Sequence, residues 1–86
     1  MKTFTSGILH NNTLLTFSFD KIDTVHGAKF SVTGMSTDEE IIRFDMKMDI
    51  KGNWNVVTPA PLWIKHLELQ FNQLLTEQVK YQTVFN

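Results

Sequence analysis

Residues 2–10, KTFTSGILH, residues 11–12, NN, and residues 13–23, TLLTFSFDKID, together read as a β-hairpin. Adjacent asparagines tolerate the positive φ angles that a two-residue type I′ turn demands. Pairing His10 with Thr13 sets Ile8 opposite Leu15, Ser6 opposite Phe17 and Phe4 opposite Phe19, so the large apolar groups of both strands share one face. The other face holds Thr5, Gly7, Leu9, Leu14, Thr16 and Ser18, which is small and mostly polar. That division is expected of an antiparallel sheet buried on one side.

Working outward, Val25-His26-Gly27-Ala28 supplies a second turn. Pairing from His26-Gly27 predicts Phe30 opposite Asp23 and Val32 opposite Lys21, with a third strand over residues 28–33. Ser36-Thr37-Asp38-Glu39-Glu40 has the Ser/Thr-x-x-Glu spacing of a helix-start capping box, so residues 34–40 are expected to connect through at most one helical turn. Ile42, Phe44, Met46, Met48 and Ile50 then alternate with Arg43, Asp45, Lys47, Asp49 and Lys51. This period of two predicts a half-buried strand over 41–50. A return at Lys51-Gly52-Asn53 would face Trp54 with Ile50 and Val56 with Met48, giving a last strand at 54–58.

The period changes after Thr58-Pro59-Ala60-Pro61. Threonine is a good N-cap and proline is tolerated in the first turn, so a helix is expected over 59–78. Its stripe is Ile64, Leu67, Phe71, Leu74 and Leu75, with Trp63 beside it. A helix with one apolar stripe and a sheet with one apolar face cover each other. The expected fold is therefore two-layer α+β, an antiparallel four- or five-stranded meander with one C-terminal helix packed on its apolar face. Residues 1–78 would form this single domain, and residues 79–86 a tail that packs in place or swaps between subunits.

A chain of 86 residues buries only about 60–65% of its unfolded surface. With 42% apolar residues it is globular, and its eight basic and nine acidic residues create no global field for a polyanion. There is no cysteine, hence no disulfide, thiolate metal site or cysteine nucleophile, and a cytoplasmic location is expected. No apolar run approaches the roughly 20 residues of a membrane span, so no membrane partner is expected.

The residues of catalysis do not gather. His10 and His26 lie beside opposite ends of the second strand, separated by about 35 Å at strand rise. His66 has no second histidine one helical turn away, so neither a metal nor any other cofactor is expected. There is no G-x-S-x-G elbow, phosphate loop or dinucleotide fingerprint, and the four glycines are isolated. Asp20 and Asp23 beside Lys21 and Lys29, and the alternating charges from Arg43 to Lys51, read as paired or solvated surface. The chain is not expected to be an enzyme.

What remains is surplus apolar surface. Leu62 and Leu69 fall about 200° around the helix from Ile64 and Phe71, one heptad apart. With Trp63, His66, Tyr81 and Phe85 they form the candidate protein-interaction surface. The leading expectation is a small non-catalytic module, a regulator, inhibitor or adaptor, that binds another protein or a second copy of itself as a homodimer. Contact would run through the outer helix stripe or through an edge strand, the first or the last of the meander. Two alternatives are a nucleic-acid-binding sheet face, which would need some of Phe4, Phe17, Phe19, Phe30 and Phe44 uncovered, and a carrier of a small apolar ligand lined by Met46 and Met48.

Overall fold

The computed structural model describes residues 2–36 and 38–84, with the backbone alone for residues 2 and 79–84. Five strands follow in order, β1 (Lys2–His10), β2 (Thr13–Thr24), β3 (Gly27–Met35), β4 (Ile41–Met48) and β5 (Trp54–Val56). They form one antiparallel sheet in sequence order. A short helix α1 (Leu62–His66) and a longer helix α2 (Glu68–Val84) complete the chain. No helix among the described residues is long and apolar enough to cross a membrane.

The first hairpin has the expected register, His10 with Thr13 through Phe4 with Phe19. Asn11 and Asn12 take φ values of 48° and 62°, the left-handed pair that a type I′ turn needs. The β2–β3 and β4–β5 pairings each differ from expectation by two residues. Phe30 pairs with Lys21 and Val32 with Phe19, because the turn is Val25-His26 rather than His26-Gly27. Thr24 Oγ1 accepts from the His26 N–H at 3.2 Å and donates to the Gly27 carbonyl at 2.6 Å, closing the loop one residue earlier. An even shift leaves every side chain on its expected face.

The β4–β5 turn moves for a similar reason. Trp54 pairs with Met48 and Val56 with Met46, and Ile50 stands in solvent. The Asp49 carboxylate accepts the backbone N–H groups of Lys51 and Asn53 at 2.9 and 3.0 Å and the Asn55 amide at 2.9 Å. A side chain that satisfies loop amides in this way ends the ladder. Ile50, and Met48 at the strand end, therefore leave the apolar row that Ile42, Phe44 and Met46 form in the core.

Among the described residues between β3 and β4 there is a tight turn and no helix, the Glu39 N–H donating to the Ser36 carbonyl at 3.0 Å. Strand β3 runs on to Met35, opposite Ile41. Ser36 Oγ accepts from the Glu40 N–H at 3.2 Å, and the Ser36 N–H reaches the Glu40 carbonyl at 2.9 Å. Glu39 takes a φ of 63°, which a helix start does not allow. Gly34 lies inside β3 because the Phe17 ring covers its backbone where a Cβ would stand.

Thr58 does not cap a helix. Its Oγ1 accepts from the Asp45 N–H at 2.9 Å, holding the chain against β4, and α1 begins only at Leu62. The expected single helix is in two segments joined at Leu67, whose φ and ψ are −93° and 0°. The Leu67 N–H bonds to the Ile64 carbonyl and the Phe71 N–H to the Leu67 carbonyl, both at 3.0 Å. Helix α2 then continues through Val84, so most of the expected tail has helical backbone.

The core lies between the sheet and the helices, with Ile64, Leu67, Phe71 and Leu75 buried against Phe17, Phe19, Phe30, Val32, Phe44, Met46 and Trp54. Phe71 is at its centre, with ring centroids 5.1 Å from Phe17, 6.0 Å from Phe19 and 5.5 Å from Phe44. Edge and tilted contacts of this kind add to the burial of the ring itself. Phe71→Ala is expected to cost about 3–5 kcal/mol, measured as a lower urea midpoint at unchanged m-value. A loss below about 1 kcal/mol would mean that Phe71 does not hold the helix to the sheet.

Candidate interaction surfaces

An open five-stranded sheet exposes two rows of unpaired backbone groups, along β1 and along β5. The β5 row is covered by α2. The Trp54 N–H donates to Asn72 Oδ1 at 2.7 Å and the Val56 N–H to Glu68 Oε2 at 2.8 Å. The match is geometric, since four residues of helix rise about 6 Å and two residues of strand about 6.7 Å. Two side chains on one helix face thus reach two successive outward N–H groups. Their signal in the sequence is a polar i, i+4 pair directly beside the buried Leu67 and Phe71, which an apolar-stripe reading passes over.

Strand β1 has no such cover. In a two-residue hairpin the residues flanking the turn exchange both hydrogen bonds, so even-numbered residues of β1 bond to β2. Thr3, Thr5, Gly7 and Leu9 therefore turn their N–H and C=O groups outward. Among the described residues, no side chain or loop backbone bonds to them. Phe4, stacked on Phe19 at 4.9 Å, is only partly buried at this margin of the core.

The outer sheet face is less polar than its alternation suggests. Leu9, Leu14, Met35 and Ile41 are between 51% and 69% exposed. Leu9 pairs with Leu14 and Met35 with Ile41, and all four lie towards the Asn11-Asn12 end of the sheet. Leu14 lies flat on Gly7, its Cδ1 3.0 Å from where a Cβ would be. Met35 falls outside the expected strand 28–33, so this group was not visible as one. The far end of the same face is charged, with Lys29 Nζ 3.0 Å from Asp45 Oδ2 in a half-exposed pair of the cross-strand kind expected there.

Of the candidate interaction residues, Leu62 and Leu69 are 69% and 67% exposed and His66 is exposed. The break at Leu67 removes the continuous helix on which the two leucines would align, and Leu69 borders a cleft with Asn53, Trp54, Asn55, Glu68 and Asn72 beside β5. Trp63 is half-buried and stacks on His10 at 5.0 Å, so each ring covers one face of the other. Both line an open cleft of about 450 Å³ with Asn11, Thr13, Leu15, Ser36 and Asp38. Tyr81 lies on the helical backbone of α2, its side chain outside the described residues, as is Phe85 altogether.

No protein-family model matches the chain, and neither a curated protein nor a solved structure is significantly similar to it.

One carboxyl is shifted. Hydrogen bonds from the Asn53 N–H and the Asn55 amide, with lesser help from the Lys51 N–H and charge, outweigh desolvation and hold Asp49 below its ordinary value of 3.8. The depressed folded-state pKa means that the Asp49 contribution is full above the unfolded value and is lost as pH falls through the folded one. Asp49→Ala is expected to be less stable than wild type at pH 7, with the gap closing below about pH 3.8 in urea titrations. A gap independent of pH would contradict this. Glu68→Ala is expected to cost about 1–3 kcal/mol by leaving the Val56 N–H unpaired, and Glu68→Gln, which keeps an acceptor, less than half of that.

Proposed function

We propose that this chain is a small protein-binding module that acts as a regulator, inhibitor or adaptor by occupying a partner's surface. The observation that carries the reading is the outer-face group of Leu9, Leu14, Met35 and Ile41, each at least half exposed on neighbouring positions. Single exposed leucines are ordinary, whereas two apolar cross-strand pairs exposed at one end of a sheet face are what a binding surface offers. Leu62 and Leu69 on the helical side are a second, smaller surface of the same kind.

The two alternatives have less in their favour. A base-stacking sheet needs uncovered rings, and Phe17, Phe19, Phe30 and Phe44 are buried under the helix. For a ligand carrier, Met46 is packed into the core, and Met48 borders an open cleft of about 340 Å³ with Lys21, His26, Gly27, Ala28, Asp49 and Trp54.

The test is cross-linking capture from the native cell, comparing wild type with Met35→Lys plus Ile41→Lys and with Leu62→Glu plus Leu69→Glu. These exposed changes are expected to alter stability by less than about 0.5 kcal/mol each. A partner captured by wild type and lost at least about tenfold in the Met35/Ile41 variant supports the outer face. Loss in the Leu62/Leu69 variant alone moves the surface to the helices, and equal capture by all three forms contradicts the reading.

A further inference from the structure

We infer that the free edge of β1 is a homodimer interface, on which β1 of a second copy pairs antiparallel about a two-fold axis centred on Ser6. This rests on the protein-binding reading and names a second copy as one partner. Four observations carry it. First, the two edges are treated differently, since Glu68 and Asn72 occupy the outward N–H groups of β5 while those of β1 are unpaired among the described residues. Second, residues 3–9 contain no charged residue, proline or Asn, the usual devices that keep an edge strand from pairing.

Third, the strand is self-complementary in one register. Centring on Ser6 sets Thr3 opposite Leu9 and Thr5 opposite Gly7 of the other copy, which are the residues with outward backbone groups. The same register sets Phe4 opposite Ile8 twice, on the core face. It would cover Phe4, the inner-face phenylalanine that the sheet leaves partly exposed. Fourth, the pairing closes. An isologous contact uses the same edge on both copies, and the sealed β5 edges give a ten-stranded sheet nowhere to grow. A foreign strand would meet the same backbone groups, but it would not need the Phe4 and Ile8 match.

The experiment is solution mass across a concentration series, with two kinds of variant. Thr5→Pro removes an outward N–H and leaves the β1–β2 ladder intact. It is expected to raise the dimer dissociation constant at least about 100-fold. Ser6→Cys places the chain's only thiol on the axis, at a non-hydrogen-bonded pair whose Cα separation of about 4.5 Å suits a disulfide. It is expected to give a covalent dimer on mild oxidation, while Thr33→Cys on the outer face of β3 is not.

A wild-type protein that is monomeric up to millimolar concentration overturns the inference. So does a dimer that Ser6→Cys fails to cross-link, which would place the contact elsewhere, as on the helical surface. If Thr5→Pro does not fold, the cysteine pair decides alone. Failure here is distinct from failure of the protein-binding reading, because Met35 and Ile41 lie on β3 and β4, away from the β1 edge. A monomer whose partner capture still depends on those two residues loses the dimer and keeps the binding surface.

Discussion

The insertion of Phe71 among Phe17, Phe19 and Phe44 is the contact on which the arrangement of the molecule depends. It fixes α2 over the apolar face of the sheet, and with Leu67 and Leu75 it fixes the rotation of the helix about its own axis. That rotation points Glu68 and Asn72 at β5, where the spacing of one helical turn matches the spacing of alternate strand residues. One aromatic cluster thus accounts both for the core and for the closure of one sheet edge. A short strand of three residues, Trp54–Val56, is held by β4 on one side and by helix side chains on the other.

The closed edge leaves the molecule asymmetric. On one side the backbone is satisfied by the helix; on the other, Thr3, Thr5, Gly7 and Leu9 of β1 turn backbone groups outward with no partner among the described residues. The outer face is divided along its length, apolar around Leu9, Leu14, Met35 and Ile41 and charged around Lys29 and Asp45. The surfaces offered for contact are therefore backbone hydrogen bonding on the β1 edge and apolar area on the neighbouring outer face.

How far this was legible follows from what each signal depends on. The alternation of large apolar residues is a local property with a period of two, so the strands, their buried faces and the α+β layering could be read from the residues. The exact turns could not, because they depend on which side chain captures a backbone amide. Thr24, Ser36 and Asp49 each act that way and set where a ladder stops. Thr58 had two uses open to it, a helix cap or a sheet bond, and the Asp45 N–H is the one it takes. The candidate surface was legible only in part. Leu62 and Leu69 are exposed as their helical phase predicts, but the break at Leu67 and the stacking of Trp63 on His10 arise from tertiary contacts. The Met35 and Ile41 pair became visible only once β3 extended beyond its expected end.

One edge is sealed by the chain itself and, as we infer, the other by a second copy. Amide hydrogen exchange resolved by residue, at two protein concentrations, tests it most directly. Slow exchange is expected at Trp54 and Val56 at both concentrations, with protection of Thr5 and Gly7 that is present when concentrated and lost on dilution. Fast exchange at Thr5 and Gly7 at every concentration, or exchange at Trp54 and Val56 as fast as at those two, would contradict it.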